Sequence, residues 1–420
     1  MKTLLTNAII NNVKQNLLID NEVITYVGNQ NPQAETIIDL SGKHIIPGMI
    51  DPHTHVRDLQ QKDKEDWTSA SMAAIKGGVT TVFDMPNNKP ATTNLTHLKL
   101  KREAARKSLV NYRFNIAATT DNYDEIVEML ESENTDISAI KLFLAGSNAS
   151  DFVNDDEIIK RFFELSLQYQ LPIIVHTEWQ ACLDKYVSKV SNPTVLQHHF
   201  LRNKECAILG TEKVVKIAKQ IGNKLVVAHT SLKEEIEIIR ANKKNTAIYC
   251  EVSPHHLLLN ETVLQKTGNF GKVNPPLRTK QDNLALWQGI SDGTVDFIGS
   301  DHAPHQLFEK NQSYAMAPSG FPGLETSLPL LLNEVRNNRL SLDKLIEITS
   351  TNTANIFNIA NSGKIIPDYD ADLVVFDLHQ TEKVSPRHFK TKAKYSPFNQ
   401  MTIIPVEMTI IKGKIYKQTY

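Results

Sequence analysis

The sequence predicts an α/β fold, a (β/α)8 barrel of the TIM type, carrying a small β-sandwich domain built from both chain ends. Three observations predict it. Eight apolar, β-rich runs recur along the middle of the chain, and nearly all end in a polar residue. Stretches with helical periodicity separate them. Both flanks abandon this alternation for short strands and turns. Strands alternating with helix-length segments imply parallel βαβ units, and eight such units close into a barrel of ~250 residues.

Taken in order, residues 1–47 begin with strand-like Leu4–Ile10, Asn16–Ile19 and Glu22–Val27, followed by a turn at Asn29–Pro32. The eight barrel runs are His44–His55, Val79–Asn87, Asn111–Thr119, Asp136–Gly146, Leu171–Glu178, Lys224–Ser231, Ala247–His256 and Val295–His305. Between them, Asn94–Ser108, Asp155–Gln170, Thr211–Ile221, Leu232–Lys243 and Lys280–Ser291 show helical spacing. After Gly363 the tail returns to strands at Ala371–Asp377 and Val406–Lys412, then turns at Gly413-Lys414 into Ile415-Tyr416. The barrel is therefore expected over residues 48–361. Residues 1–47 and 362–420 are expected to pair as the β-domain, because chain ends usually lie close together.

Composition narrows the function. The 420 residues carry 46 Lys+Arg and 47 Asp+Glu, a formal net charge of −1. A broad nucleic-acid or anionic-membrane surface needs a clustered cationic excess, which this balance argues against. No apolar run approaches the ~20 residues of a membrane span. Polar residues break the start, Met1–Asn7, before a signal-peptide apolar region forms,. A cytoplasmic location is expected. The three cysteines, Cys182, Cys206 and Cys250, lie far apart without a CxxC, so neither a disulfide framework nor a thiolate zinc site is expected,. The 14 histidines are more informative.

Catalytic groups of such a barrel sit at the C-terminal ends of its strands. Those ends carry His53 and His55 on the first strand, Asn87 on the second and Lys141 on the fourth; the fifth, sixth and eighth supply His176, His229 and Asp301. Alternation puts His53 and His55 on one face, inward. A single buried histidine is more often a hydrogen-bonded core residue. His-x-His at one strand end, joined by two more strand-end histidines and an Asp, is a pattern that scattered core residues rarely produce, and it suits zinc. Lys141, within Ala139-Ile140-Lys141-Leu142-Phe143-Leu144, points inward by the same alternation. A buried amine among cations favours its neutral form, which reacts with carbon dioxide to give a carbamate; two carbamate oxygens then bridge two zinc ions. A buried ion pair, or a stem reaching out to the barrel mouth, is the alternative reading of this lysine.

Gly48-Met49-Ile50-Asp51-Pro52-His53-Thr54-His55-Val56-Arg57-Asp58 resembles the opening metal motif of the dihydroorotases, in the amidohydrolase superfamily. The resemblance runs through Asp84-Met85-Pro86-Asn87, Lys141-Leu142-Phe143, Val175-His176 and Ala228-His229-Thr230-Ser231. It continues through Ser253-Pro254-His255-His256, Val273–Arg278 and Ser300-Asp301-His302-Ala303-Pro304-His305, and so covers nearly the whole chain. It implies a metal-dependent amidohydrolase barrel with two Zn2+ per chain: His53, His55 and Asp301 on one, His176 and His229 on the other, carboxylated Lys141 and a hydroxide bridging them. Some relatives instead use an Asp after the fourth strand, where this chain has Asp151, Asp155 and Asp156. A second departure follows Asp58, where many relatives have Pro-Gly and this chain has Leu59-Gln60.

Arg57 shares the inward face of His55, and its planar guanidinium matches a carboxylate. The resemblance assigns Arg57, Asn87, Asn274 and His305 to substrate binding, with Asp301 as the proton shuttle. Gln306–Gly323 reads as a loop able to close over the site, with Ser319 and Gly320 as further candidate contacts; His255 and His256 read as supporting residues. The implied reaction is reversible cyclisation of N-carbamoyl-L-aspartate to L-dihydroorotate in pyrimidine biosynthesis. A homodimer or homotetramer, and a carbamoyltransferase partner, are compatible with it. Dihydropyrimidinases, hydantoinases and allantoinases share the ligand pattern; the carboxylate-binding set is what sets them apart. A metal-free scaffold is the remote alternative, disfavoured because all six ligand positions are filled.

Overall fold

The computed structural model describes residues 1–132, 135–146 and 152–418. Eight parallel strands form the central sheet in sequential order: β1 (Met49–Thr54), β2 (Val79–Asp84), β3 (Asn111–Ala117), β4 (Ile137–Phe143), β5 (Ile173–His176), β6 (Leu225–Val227), β7 (Ile248–Val252) and β8 (Phe297–Ile298). A parallel bridge from Thr54 to His302 joins β1 to the end of β8 and closes the barrel. Helices Leu95–Ala105, Asp156–Gln168, Lys204–Ile221, Lys233–Asn242 and Lys280–Ser291 lie between the strands.

Alternation sorts each strand between two cores. Ile140, Leu142, Val175, Val227 and Val252 face outward into the core shared with the helices. Ile50, Phe83, Ala139, Ile174, Val226 and Phe297 fill the inside of the barrel. Phe357 closes that interior near the strand starts, edge-on to Phe83 at 5.1 Å and to Phe297 at 5.7 Å. Phe357→Ala is expected to lower stability by about 3–5 kcal/mol, because a cavity is left where the packing cannot collapse; urea unfolding checks this.

Both chain ends join one further eight-stranded sheet. Its order runs Lys414–Lys417, Val406–Ile411, Leu373–Phe376, His44–Pro47, Lys2–Ile10, Val13–Asp20 and Val23–Gly28, with Thr36–Asp39 also pairing to Lys2–Ile10. Leu5, Leu17, Ile24, Ile45, Leu373 and Ile410 belong to its own apolar core. The run His44–His55, continuous in sequence, is therefore two strands. His44–Pro47 pairs with Leu373–Phe376, and Met49–Thr54 enters the barrel. Gly48 makes the transfer between them: its amide donates to Asp372 O at 2.9 Å, and a Cβ there would lie 2.2 Å from the Thr80 side chain.

The cysteine expectation is corrected. Cys182 and Cys206 form a disulfide, with Cα atoms 5.3 Å apart. Helices Gln180–Val187 and Lys204–Ile221 bring the two together across 24 residues, a tertiary packing that spacing does not reveal. Cys250 is free and buried, and burial pushes its thiol well up. No helix among the described residues is long and apolar enough to cross a membrane.

Candidate active site

The C-terminal mouth of the barrel opens into a cavity of about 1380 Å³. His53, His55, Arg57, Asn87, His176, His229, Asn274, Asp301, His305, Ser319 and Gly320 all line it; Lys141 lies beneath, fully buried.

β1 delivers its histidines by an irregularity. Ile50 faces the barrel interior, so strict alternation would turn His53 away; the register against β2 slips between Asp51 and Thr54, and His53 and His55 both turn inward. Asp51 holds this slip, accepting the amides of His53 at 3.2 Å and Ser300 at 3.0 Å. His229 and Asp301 leave their strands with φ of 36° and 48°. Left-handed backbone is unfavourable for residues with a side chain, and such strain collects at functional sites.

Two donor groups adjoin. Asp301 Oδ1 lies 3.1 Å from His55 Nε2 and 3.6 Å from His53 Nε2, and among the described residues these three side chains form the cluster close enough to hold a metal ion. Beside them His176 Nδ1 faces His229 Nε2 at 3.0 Å, and the His229 ring is 5.2 Å from that of His53. Burial pushes His53 and His229 well below the usual imidazole range and lowers His55 and His176, leaving neutral rings with free lone pairs. Burial alone would raise Asp301, but its contact with His55 first, and then those with His53 and Lys141, hold it down to about 2. The Lys141 amine has no hydrogen-bond partner among the described residues. Burial pushes it down, opposed by Glu251 and Asp301.

A second layer, absent from the sequence reading, orients these rings. Glu251 on β7 accepts from His53 Nδ1 at 2.7 Å and from the His229 amide at 3.0 Å. Asn87 Oδ1 accepts from His55 Nδ1 at 2.6 Å. Each bond fixes the proton on Nδ1 and turns the Nε2 lone pair into the site. Glu178 sits 3.2 Å from His176 Nε2 and takes 2.8 and 2.6 Å bonds from Arg202. Glu178 is buried, yet Arg202, His176 and Arg278 hold it well below the usual carboxylate range. Glu251 carries the signal that marked Lys141, a charge inside an apolar run, and was legible on that ground.

Arg57 reaches His305 across the mouth, Nη2 to Nε2 at 3.2 Å. Its loop, which includes Leu59-Gln60, is held by local contacts: Arg57, Asp58 and Leu59 all adopt positive φ, Asp58 caps the following turn, and Asn88 Nδ2 donates to Arg57 O at 2.6 Å. Asn274 Oδ1 accepts from the Ser319 hydroxyl at 3.2 Å. The 306–323 loop is tied down. Lys272 Nζ donates to Tyr314 O and Ala317 O, and Lys310 Nζ to Pro318 O and Gly320 O, at 2.7–2.8 Å. Gly320, at φ +116°, packs where a Cβ would come 2.6 Å from that of Ala303.

Among the alternative oxygen ligands, Asp155 caps the helix Asp156–Gln168 and Asp156 pairs with Lys213; neither lines the cavity. Asp151 lies outside the described residues. His255 packs against Phe321 at 5.2 Å, and His256 bonds Pro275 O at 3.1 Å; both stand behind the cavity wall.

A parallel barrel with buried neutral imidazoles and an ionised carboxylate converging at its C-terminal mouth defines a metal-dependent hydrolase. The chain belongs to the amidohydrolase family, whose pattern matches residues 44–416. It is 34% identical to the dihydroorotase of Methanosphaera stadtmanae, over 97% of this chain and 94% of that protein. With the dihydroorotase of Pediococcus pentosaceus it shares 33% identity, over 100% of this chain and 99% of that protein. Among solved structures, the L-hydantoinase (dihydropyrimidinase) of Arthrobacter aurescens superposes with a TM-score of 0.93 at 26% identity, covering 99% of this chain and 96% of that one.

Proposed function

We propose that the protein is a dihydroorotase, closing N-carbamoyl-L-aspartate to L-dihydroorotate and reopening the ring. The observation that carries this reading is that Arg57 and His305, in contact at 3.2 Å, line the same cavity as the His53–His55–Asp301 cluster. Side-by-side nitrogen donors there suit a ring substituent that is a carboxylate.

The donor set fits a binuclear zinc site. His53, His55 and Asp301 would hold one ion and His176 and His229 the other. Lys141, whose buried nitrogen is without a partner among the described residues, would bridge them as its carbamate,. When bound, zinc supplies a Lewis acid for the amide carbonyl and lowers the pKa of a water to ~7. The remaining work falls to the chain. Arg57 and His305 hold the substrate carboxylate; Asn87 keeps His55 in the tautomer that leaves Nε2 free. Asn274, Ser319 and Gly320 border the ring. Asp301 turns Oδ1 to His55 and His53, so Oδ2 carries the moving proton. In hydrolysis it takes that proton from the attacking water and gives it to the departing ring nitrogen; in cyclisation it takes one from the ureido nitrogen as that nitrogen attacks the side-chain carboxylate, and gives it to the carboxylate oxygen that leaves as water.

Arg57→Gln tests the reading. It is expected to weaken dihydroorotate binding by about 2–5 kcal/mol, the range for breaking a buried charged pair, with zinc content unchanged. Wild-type-like activity of this variant on dihydroorotate would sink the assignment. So would preference of the unmodified enzyme for uncharged dihydrouracil, which would favour the hydantoinase reading that the structural neighbours represent.

A further inference from the structure

We propose that Lys64 determines the specificity of the site for a carboxylate by fixing the tautomer of His305, an inference that rests on the dihydroorotase reading. Lys64 lies in the loop after β1, in the region where the chain departs from the usual motif. Its ammonium is held by Glu309 Oε1 at 2.7 Å and points at His305 Nδ1 from 3.2 Å. On the other side of the ring, His305 Nε2 faces two groups of opposite kind: the Ser319 carbonyl at 3.0 Å and Arg57 Nη2 at 3.2 Å.

An ammonium and a guanidinium only donate, and a carbonyl only accepts. With the proton on Nδ1, the ring opposes Lys64 donor to donor and turns a lone pair on the Ser319 oxygen; only Arg57 is satisfied. With the proton on Nε2, Nδ1 accepts from Lys64 and Nε2–H donates to Ser319 O, leaving only Arg57 without an acceptor. A doubly protonated ring would meet Arg57, Lys64 and Lys310 as a fourth cation. Burial and those three charges oppose this form. The neutral Nε2–H tautomer is therefore selected, and Lys64 selects it.

The consequence is a receptor with an unmet demand. The His305 Nε2–H is spent on Ser319 O, so the Arg57 Nη2–H beside it at the cavity wall faces an N–H and has no acceptor. A carboxylate supplies the acceptor that Arg57 lacks, whereas a ring with hydrogen in that position leaves the two N–H groups opposed. Discrimination against neutral rings thus comes from the repulsion left when no carboxylate binds, as well as from attraction to one. Without Lys64 the ring is free to place its proton on Nδ1 and accept from Arg57, which pairs the two and removes the demand.

The experiment compares zinc-loaded wild type, Lys64→Met and Lys64→Arg in two ways. Nitrogen-15 spectra of histidine-labelled enzyme, with the His305 signal identified by its loss in His305→Gln, report the tautomer without substrate. Wild type and Lys64→Arg are expected to show Nε2–H, and Lys64→Met to shift toward Nδ1–H. In turnover, Lys64→Met is expected to raise KM for dihydroorotate about tenfold with kcat little changed. Its preference for dihydroorotate over dihydrouracil should fall by about tenfold, and Lys64→Arg should keep it. An unchanged His305 spectrum in Lys64→Met, or an equal loss of kcat on both substrates, overturns the proposal. A wild type that prefers dihydrouracil instead sinks the dihydroorotase reading, and the spectra then still decide what Lys64 does.

Discussion

Asp301→Asn is expected to abolish turnover almost completely in both directions, by at least the ~10²–10⁴ of a general acid–base group. The carboxylate is shared by two roles. One oxygen stands 3.1 Å from His55 and 3.6 Å from His53, where it completes the only metal-competent triad among the described residues. On the proposed mechanism the other would carry the proton. Its environment holds the carboxyl down to about 2, so at neutral pH it is an anion ready to accept. An amide loses both functions: it is a weaker ligand and cannot shuttle a proton. The geometry around residue 301 survives, since Asn tolerates the positive φ found there better than most residues,. Circular dichroism should therefore match wild type. Retention of more than about a tenth of the activity in a folded variant would remove Asp301 from the proton path.

Lys141→Ala is expected to bind fewer than two zinc ions and to lose activity to a comparable degree. The amine is fully buried, without a hydrogen-bond partner among the described residues, over the Phe143 ring at 5.0 Å. An isolated ammonium in such a place is costly. Reaction with carbon dioxide would replace that cost with an anion among the histidines. Intact mass measured gently should show the added carbon dioxide, and acid should discharge it. Short carboxylic acids should partly restore Lys141→Ala by entering the vacated space, whereas Lys141→Arg should not be rescued, because its guanidinium stays protonated. Full zinc and activity in Lys141→Ala would refute the bridging lysine while sparing the activity assigned to the enzyme.

The barrel was legible because its strands are buried on both faces and so read as apolar runs, with polar residues where each leaves the sheet. The same physics made His53, His55, Lys141, His176, His229 and Asp301 stand out, since a polar side chain at a strand end has few structural reasons to be there. Features set by tertiary packing were not legible. Nothing in His44–His55 shows that the chain changes sheets at Gly48, a step required by Asp372 and Thr80, distant in sequence. Cys182 and Cys206 meet only because two helices pack side by side. Lys64 and Arg202 look like ordinary surface charges until Glu309, His305 and Glu178 are brought to them. Asn87, read as a substrate contact, also spends its oxygen on His55.

The sheet that unites the two chain ends bears on how the molecule is made. His44–Pro47, which leads directly into the first barrel strand, pairs on one side with Leu373–Phe376. During synthesis the N-terminal strands emerge long before their C-terminal neighbours exist, and no local rearrangement can supply that partner. The barrel between them must be translated first, while Ile45 and Ile46 wait at an open sheet edge. Pairings so distant in sequence form slowly, and unpaired edges invite association with other chains. The strands from Leu373 to Ile411 thus act as a lock on assembly,: the frame that steadies the first histidine-bearing strand is completed only after the barrel has been made.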